Sequence, residues 1–208
     1  MNHRAYIFDF DGTLVQSNAI KKEAFYHLSP EIADNKTAVD TVLSAIPEKS
    51  RYEIVQRIYD VIQSKTGVHY PKENITTAIH RYSSTVRSGV LSCPEVEGAT
   101  MLLEHLKKSG KLVYVSSNTP EDSLGELIEG RGWASNIDGY FGFPKLKSET
   151  VRFIQTAKSL STSEIIIIGD GLSDENSASE TGCSFYKVTN DKSLLEFYAL
   201  LNSSNEYV

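Results

Sequence analysis

Short blocks of bulky apolar residues recur at wide spacing along the chain, and between them apolar positions fall three and four apart. Ala5-Tyr6-Ile7-Phe8, Leu112-Val113-Tyr114-Val115 and Ile165-Ile166-Ile167-Ile168 show no polar alternation. That pattern reads as strands buried on both faces, as in a parallel sheet. Residues 185–188 form a further, less regular candidate. Residues 98–108 have helical spacing and close in lysines before Gly110, and residues 121–129 repeat the pattern after Pro120. Residues 149–160 and 174–180 do so again, the last closing at Gly182. Strand alternating with helix predicts βαβ units, hence an α/β fold with a Rossmann-like three-layer α/β/α core around a parallel sheet.

Residues 17–88 break the alternation. Segments 19–27, 38–45, 52–63 and 74–86 all read as helices, with no strand candidate between them. A helical block is therefore expected as an insert after the first strand, long enough for a small domain of its own rather than a thick crossover layer. The expected division is a core from residues 1–16 and 89–208 and an insert from 17–88. Connections near residues 15–17 and 88–91 could act as a hinge.

Composition narrows the partners. The chain has 208 residues, 40% hydrophobic and 23% charged, with a net charge of −6. That balance suits a soluble globular protein and argues against nucleic acid as the main partner. No apolar run approaches a membrane span, and the first residues lack the basic and then apolar layout of a signal peptide. The 2 cysteines, Cys93 and Cys183, have no metal-binding spacing and are expected as free thiols in a reducing, cytoplasmic setting.

The chemistry sits at the strand ends. The first strand runs into Asp9-Phe10-Asp11-Gly12-Thr13-Leu14. Two carboxylates so close repel each other unless a cation neutralises them, and α/β sheets bind ligands beyond the carboxyl ends of their strands. The plainer reading is an Asp-Gly turn or a helix cap. The second strand ends in Ser116-Ser117-Asn118-Thr119-Pro120, suited to an anion or equally to a helix N-cap. The isoleucine run ends in Gly169-Asp170-Gly171-Leu172-Ser173-Asp174, where Asp174 could also cap the next helix. Lys145 and Lys147 both follow Pro144. A lysine at a helix start opposes the dipole and hints at a bound anion, and Lys147, nearer that start, is preferred. Read together, Asp9, Asp11 and Asp170 would hold a hard cation such as magnesium, with Ser116 and Lys147 holding an anion beside it. That is the outline of a phosphoryl-transfer site.

These motifs, in this order and over nearly the whole chain, resemble the haloacid dehalogenase superfamily. The helical insert resembles the cap of its phosphoglycolate phosphatase and β-phosphoglucomutase branch. The resemblance implies Asp9 as nucleophile, forming an aspartyl-phosphate, and Asp11 as general acid and then base. It implies magnesium held by Asp9, the backbone carbonyl of Asp11, Asp170 and, directly or through water, Asp174. Ser116 and Lys147, with backbone N–H groups of Ser117 or Asn118, would steady the phosphoryl group. Position 16 is Gln where relatives often carry Asp, and no role carries over to it. The expectation is a magnesium-dependent phosphatase acting on a small phosphorylated metabolite, as a monomer or weak dimer. The alternatives are a phosphomutase with the same core, or a binding protein that has lost turnover. Lys22, Arg51, Arg57, Arg81 and Arg87 are candidates for substrate selection in the insert, and equally for solvated helix faces.

Overall fold

The computed structural model describes residues 3–203. Its strands are β1 (Ala5–Phe8), β2 (Leu112–Pro120), β3 (Gly139–Phe143), β4 (Ile165–Gly169) and β5 (Ser184–Lys187). They form one 5-stranded parallel sheet in the order β3-β2-β1-β4-β5. The first helices in chain order are α1 (Asn18–Tyr26), α2 (Pro30–Ala33), α3 (Lys36–Ala45), α4 (Arg51–Thr66) and α5 (Lys72–Ser92). They are followed by α6 (Ala99–Lys108), α7 (Glu121–Gly130), α8 (Lys147–Lys158), α9 (Leu172–Thr181) and α10 (Ser193–Ser203). The chain divides into two compact units: the sheet unit, up to Gln16 and from Cys93 onward, and the helical unit, Ser17–Ser92.

In the sheet unit every side chain of β1 is buried, because helices cover both faces. Side chains alternate between the faces of a strand. Ala5 and Ile7 join Tyr114, Ile165 and Ile167 on one face, packed against Val151 and Ile154 of α8 and Ala178 of α9. On the other face the Tyr6 ring meets Phe197 of α10 edge-on, with centroids 6.3 Å apart. The result is the three-layer α/β/α architecture read from the periodicity. From β1 the chain steps outward through β2 and β3, then returns to β4 on the other side of β1. The crevice where strand order reverses therefore lies between the carboxyl ends of β1 and β4, the place such folds use for ligands.

Two elements differ from the expectation. Residues 139–143, which carry no strand candidate in the sequence, form β3, an edge strand paired to β2. Two glycines and partial exposure erase the buried-run signature there. In the helical unit, α5 runs unbroken to Ser92, so the connection expected at residues 88–91 lies inside a helix. Gly89 marks a close approach rather than a turn: a Cβ there would lie 2.7 Å from Ile20 Cγ2 of α1. That unit packs its own interior from Ile32, Val39, Ile58, Ile62 and Val90, with the Phe25 and Tyr82 rings stacked at 4.2 Å. Among the described residues no helix is long and apolar enough to cross a membrane.

Ile167 is 2% exposed at the middle of the sheet. Ile167→Ala should lower unfolding stability by about 2–5 kcal/mol and Ile167→Val by about 1 kcal/mol, read as a fall in the midpoint of chemical denaturation. Equal midpoints for parent and Ile167→Ala would contradict this packing.

Candidate active site

The end of β1 is built so that acids and apolar anchors alternate. Phe10 is fully buried, its ring edge-on to Trp133 at 6.1 Å, and Leu14 is buried as well. The Leu14 and Val15 N–H groups both donate to the Phe10 carbonyl, at 2.9 and 3.1 Å, which closes the chain into a tight turn. Pinned by these anchors, the turn leaves Asp9, Asp11 and Thr13 to carry its polar contacts. The Asp9 N–H donates to the Ile168 carbonyl (2.9 Å), which ties the first acid to the neighbouring strand. The Phe10 N–H donates to Asp9 Oδ1 at 2.7 Å and fixes the carboxylate. The Thr13 hydroxyl donates to Asp170 Oδ1 at 3.1 Å, joining the ends of β1 and β4.

Lys147 is the first residue of α8, with 6% of its side chain exposed. Its Nζ lies 3.0 Å from Asp9 Oδ2 and 2.8 Å from Asp174 Oδ1. Lys145 goes elsewhere, its Nζ over the rings of Phe141 (4.5 Å) and Phe153 (4.1 Å). Asp174, in the first turn of α9, also accepts the Gly171 N–H at 3.3 Å, so it caps the helix while serving the lysine. The fit is close enough to dictate the residue at 169, because a Cβ there would sit 2.2 Å from Asp174 Cγ.

Ligand atoms of Asp9, Asp170 and Asp174 lie within 4.8 Å of one another. Burial pushes the Asp9 carboxyl well above the usual carboxylate range; Lys147 opposes the shift, and Asp174, Asp170 and Asp11 add to it. Asp174 is raised for the same first reason, again against Lys147. Burial alone would lower the Lys147 ammonium, but the Asp9 and Asp174 carboxylates outweigh it and keep it charged. Buried oxygen ligands carrying excess negative charge suit a hard divalent cation, and magnesium fits this donor set.

Asp11 lies two positions after Asp9 and its side chain has different company. Its Oδ2 accepts from Thr119 Oγ1 at 2.9 Å and lies 3.4 Å from the Ser117 hydroxyl. Ser117 Oγ in turn accepts the Thr119 N–H at 3.1 Å. The Asp11 carboxylate is outside the acidic trio. Ser116 is buried with its hydroxyl directed to Thr150 Oγ1 (3.3 Å), and Asn118 Nδ2 reaches Ser173 Oγ at 3.5 Å. Thr13 and Thr119 had no role in the sequence reading. The available signal for Thr119 was its position two residues after Ser117 in an extended segment.

Comparison with known proteins gives the same picture. The model of the haloacid dehalogenase-like hydrolases matches residues 6–188. A phosphoglycolate phosphatase of Psychrobacter arcticus is 23% identical over 183 residues, which is 84% of this chain and 78% of that protein. The structure of a predicted phosphoglycolate phosphatase from Haemophilus somnus superposes with a TM-score of 0.73 at 18% identity, covering 91% of this chain and 87% of that one. The haloacid dehalogenase-type protein YfnB of Bacillus subtilis, solved bound to magnesium, gives 0.71 at 18% identity over 97% and 100% of the two chains. The structural likenesses show a shared fold.

A metal test follows from the raised acids. In the metal-free protein Asp9 holds its proton to a higher pH than in the unfolded chain, so its ionisation removes stability as pH rises. Magnesium binds the ionised form. The rise in melting temperature on adding magnesium should therefore be full above the raised Asp9 range and shrink as pH falls through it. Asp170→Asn should remove most of the rise. A rise independent of pH and of Asp170 would place the cation elsewhere.

Proposed function

Because the chain belongs to the haloacid dehalogenase-like hydrolase family, we propose that it is a magnesium-dependent phosphatase that cleaves a small phosphorylated metabolite through an aspartyl-phosphate on Asp9. One observation carries the proposal: the two acids at the end of β1 occupy different environments. Asp9 lies against a buried ammonium and two further carboxylates, whereas the Asp11 side chain is held by hydroxyls of β2. Paired carboxyl groups with divergent surroundings take divergent roles.

In this reading a carboxylate oxygen of Asp9 attacks phosphorus as the bond from phosphorus to the leaving oxygen breaks. Asp11 gives its proton to that oxygen. It then takes a proton from water as the water attacks the acyl-phosphate, returning Asp9 to a carboxylate and releasing inorganic phosphate. Lys147 offers positive charge to the phosphoryl oxygens while holding Asp9 in place. The backbone N–H groups of Ser117 and Asn118 complete the grip, with Ser116 behind them tied to Thr150 of α8, and the arrangement works by positioning and charge. Magnesium, held by Asp9, Asp170, the Asp11 carbonyl and, directly or through water, Asp174, would supply the remaining neutralisation. The helical unit is proposed as the cap that selects the substrate. Within it Arg51 is buried and donates to Ser83 Oγ at 2.7 Å, and it is proposed as one cation for that task. A reducing, cytoplasmic setting, in which Cys93 and Cys183 stay as thiols, and a monomer or weak dimer complete the proposal.

With magnesium, p-nitrophenyl phosphate should be hydrolysed, and Asp9→Asn should lower the rate about 10³-fold or more while the melting curve stays intact. A panel of phosphorylated metabolites then identifies the substrate by phosphate release. Undiminished turnover by Asp9→Asn defeats the nucleophile assignment, and isomerised sugar phosphate without free phosphate defeats the hydrolase in favour of a mutase.

A further inference from the structure

We infer that Thr119 is a positioning residue for Asp11, setting which oxygen of that carboxyl exchanges a proton with the leaving group. The inference rests on the phosphatase reading above and adds a residue to it. Ser116 pairs with Phe141, but the next matched pair is Pro120 with Phe143, so the ladder between β2 and β3 shifts register across residues 117–119. In that interval the hydroxyl of Thr119 goes to Asp11 Oδ2, at 2.9 Å. Ser117 faces the same oxygen at 3.4 Å, and its own oxygen accepts the Thr119 N–H. Thr119 and Ser117 are 4% and 2% exposed, so the arrangement is held from within the fold rather than by solvent.

Hydroxyl donors on Oδ2 make it the accepting oxygen and assign the transferable proton to Oδ1. When the ester bond breaks, that proton passes from Oδ1 to the departing alkoxide, leaving Asp11 as a carboxylate. A proton donor must lie within hydrogen-bond reach and in line with the oxygen it protonates, so an untethered Asp11 loses efficiency without losing its chemistry. Thr119 touches neither substrate nor metal in this scheme; it acts through Asp11.

The test compares two esters on one sample. An alkyl phosphate, the best found in the metabolite panel, expels an alcohol that needs a proton; 2,4-dinitrophenyl phosphate expels an anion that does not. Thr119→Val, nearly isosteric, should lower kcat/KM for the alkyl phosphate about tenfold or more and leave the dinitrophenyl ester within about threefold. Thr119→Ser should restore the alkyl rate. The ratio of the two rates is independent of the fraction of folded enzyme. If Thr119→Val does not fold, Thr119→Ala should show the same selective loss of the alkyl phosphate rate. Equal slowing of both esters, or no slowing of either, overturns the inference and leaves the phosphatase reading standing. A parent enzyme that hydrolyses neither ester overturns both.

Discussion

One buried ammonium holds the site together. Lys147 stands between Asp9 and Asp174, and each of the three would be expensive to keep in the protein interior without the others. Its contacts join three elements that are distant in sequence: the end of β1, the start of α8 and the first turn of α9. At the start of a helix a lysine opposes the dipole, which in the sequence suggested a bound anion. The anions turn out to be the protein's own carboxylates. The same contacts make the pocket ready for a cation, because one ammonium leaves the carboxylates with negative charge to spare.

The crevice between β1 and β4 provides the other constraint. Each strand is buried on both faces and carries its polar groups only where it emerges, so acids from two strands arrive at one level of the sheet. Thr13 joins the two ends by bonding Asp170. The turn after Asp9 separates two acids that flank Phe10, since Phe10 and Leu14 are packed into the interior. Neighbours in sequence thereby acquire different chemistry with no change of residue type.

Much of this is legible in the sequence. Runs such as Ile165 to Ile168 have little alternative to a central strand, and acids directly after them have little alternative to the sheet edge. Asp9 and Asp170 were therefore visible as a pair. The edge strand β3 was not, because it is half exposed and interrupted by Gly142. The length of α5 was hidden by Gly89, whose reason is the Ile20 side chain across the helical unit. The two lysines after Pro144 could be ranked by helix position but not separated by composition. Their divergence depends on Phe141 and Phe153 offering ring faces to Lys145. Thr119 was hidden among small polar residues that serve as helix caps as readily as they orient a carboxylate.

Gly169 limits how this sequence can drift. It touches no substrate in the proposed chemistry and carries no charge, and its backbone needs no unusual angle. Yet a single methyl at that position would occupy the space of the Asp174 carboxylate. Displacing Asp174 would release one side of Lys147, and Lys147 in turn steadies Asp9. A change that looks neutral would thus reach the proposed nucleophile through two intermediaries. In evolutionary terms, positions 169, 174 and 147 form a linkage group that must vary together or not at all, and the smallest of the three is the least free to vary alone.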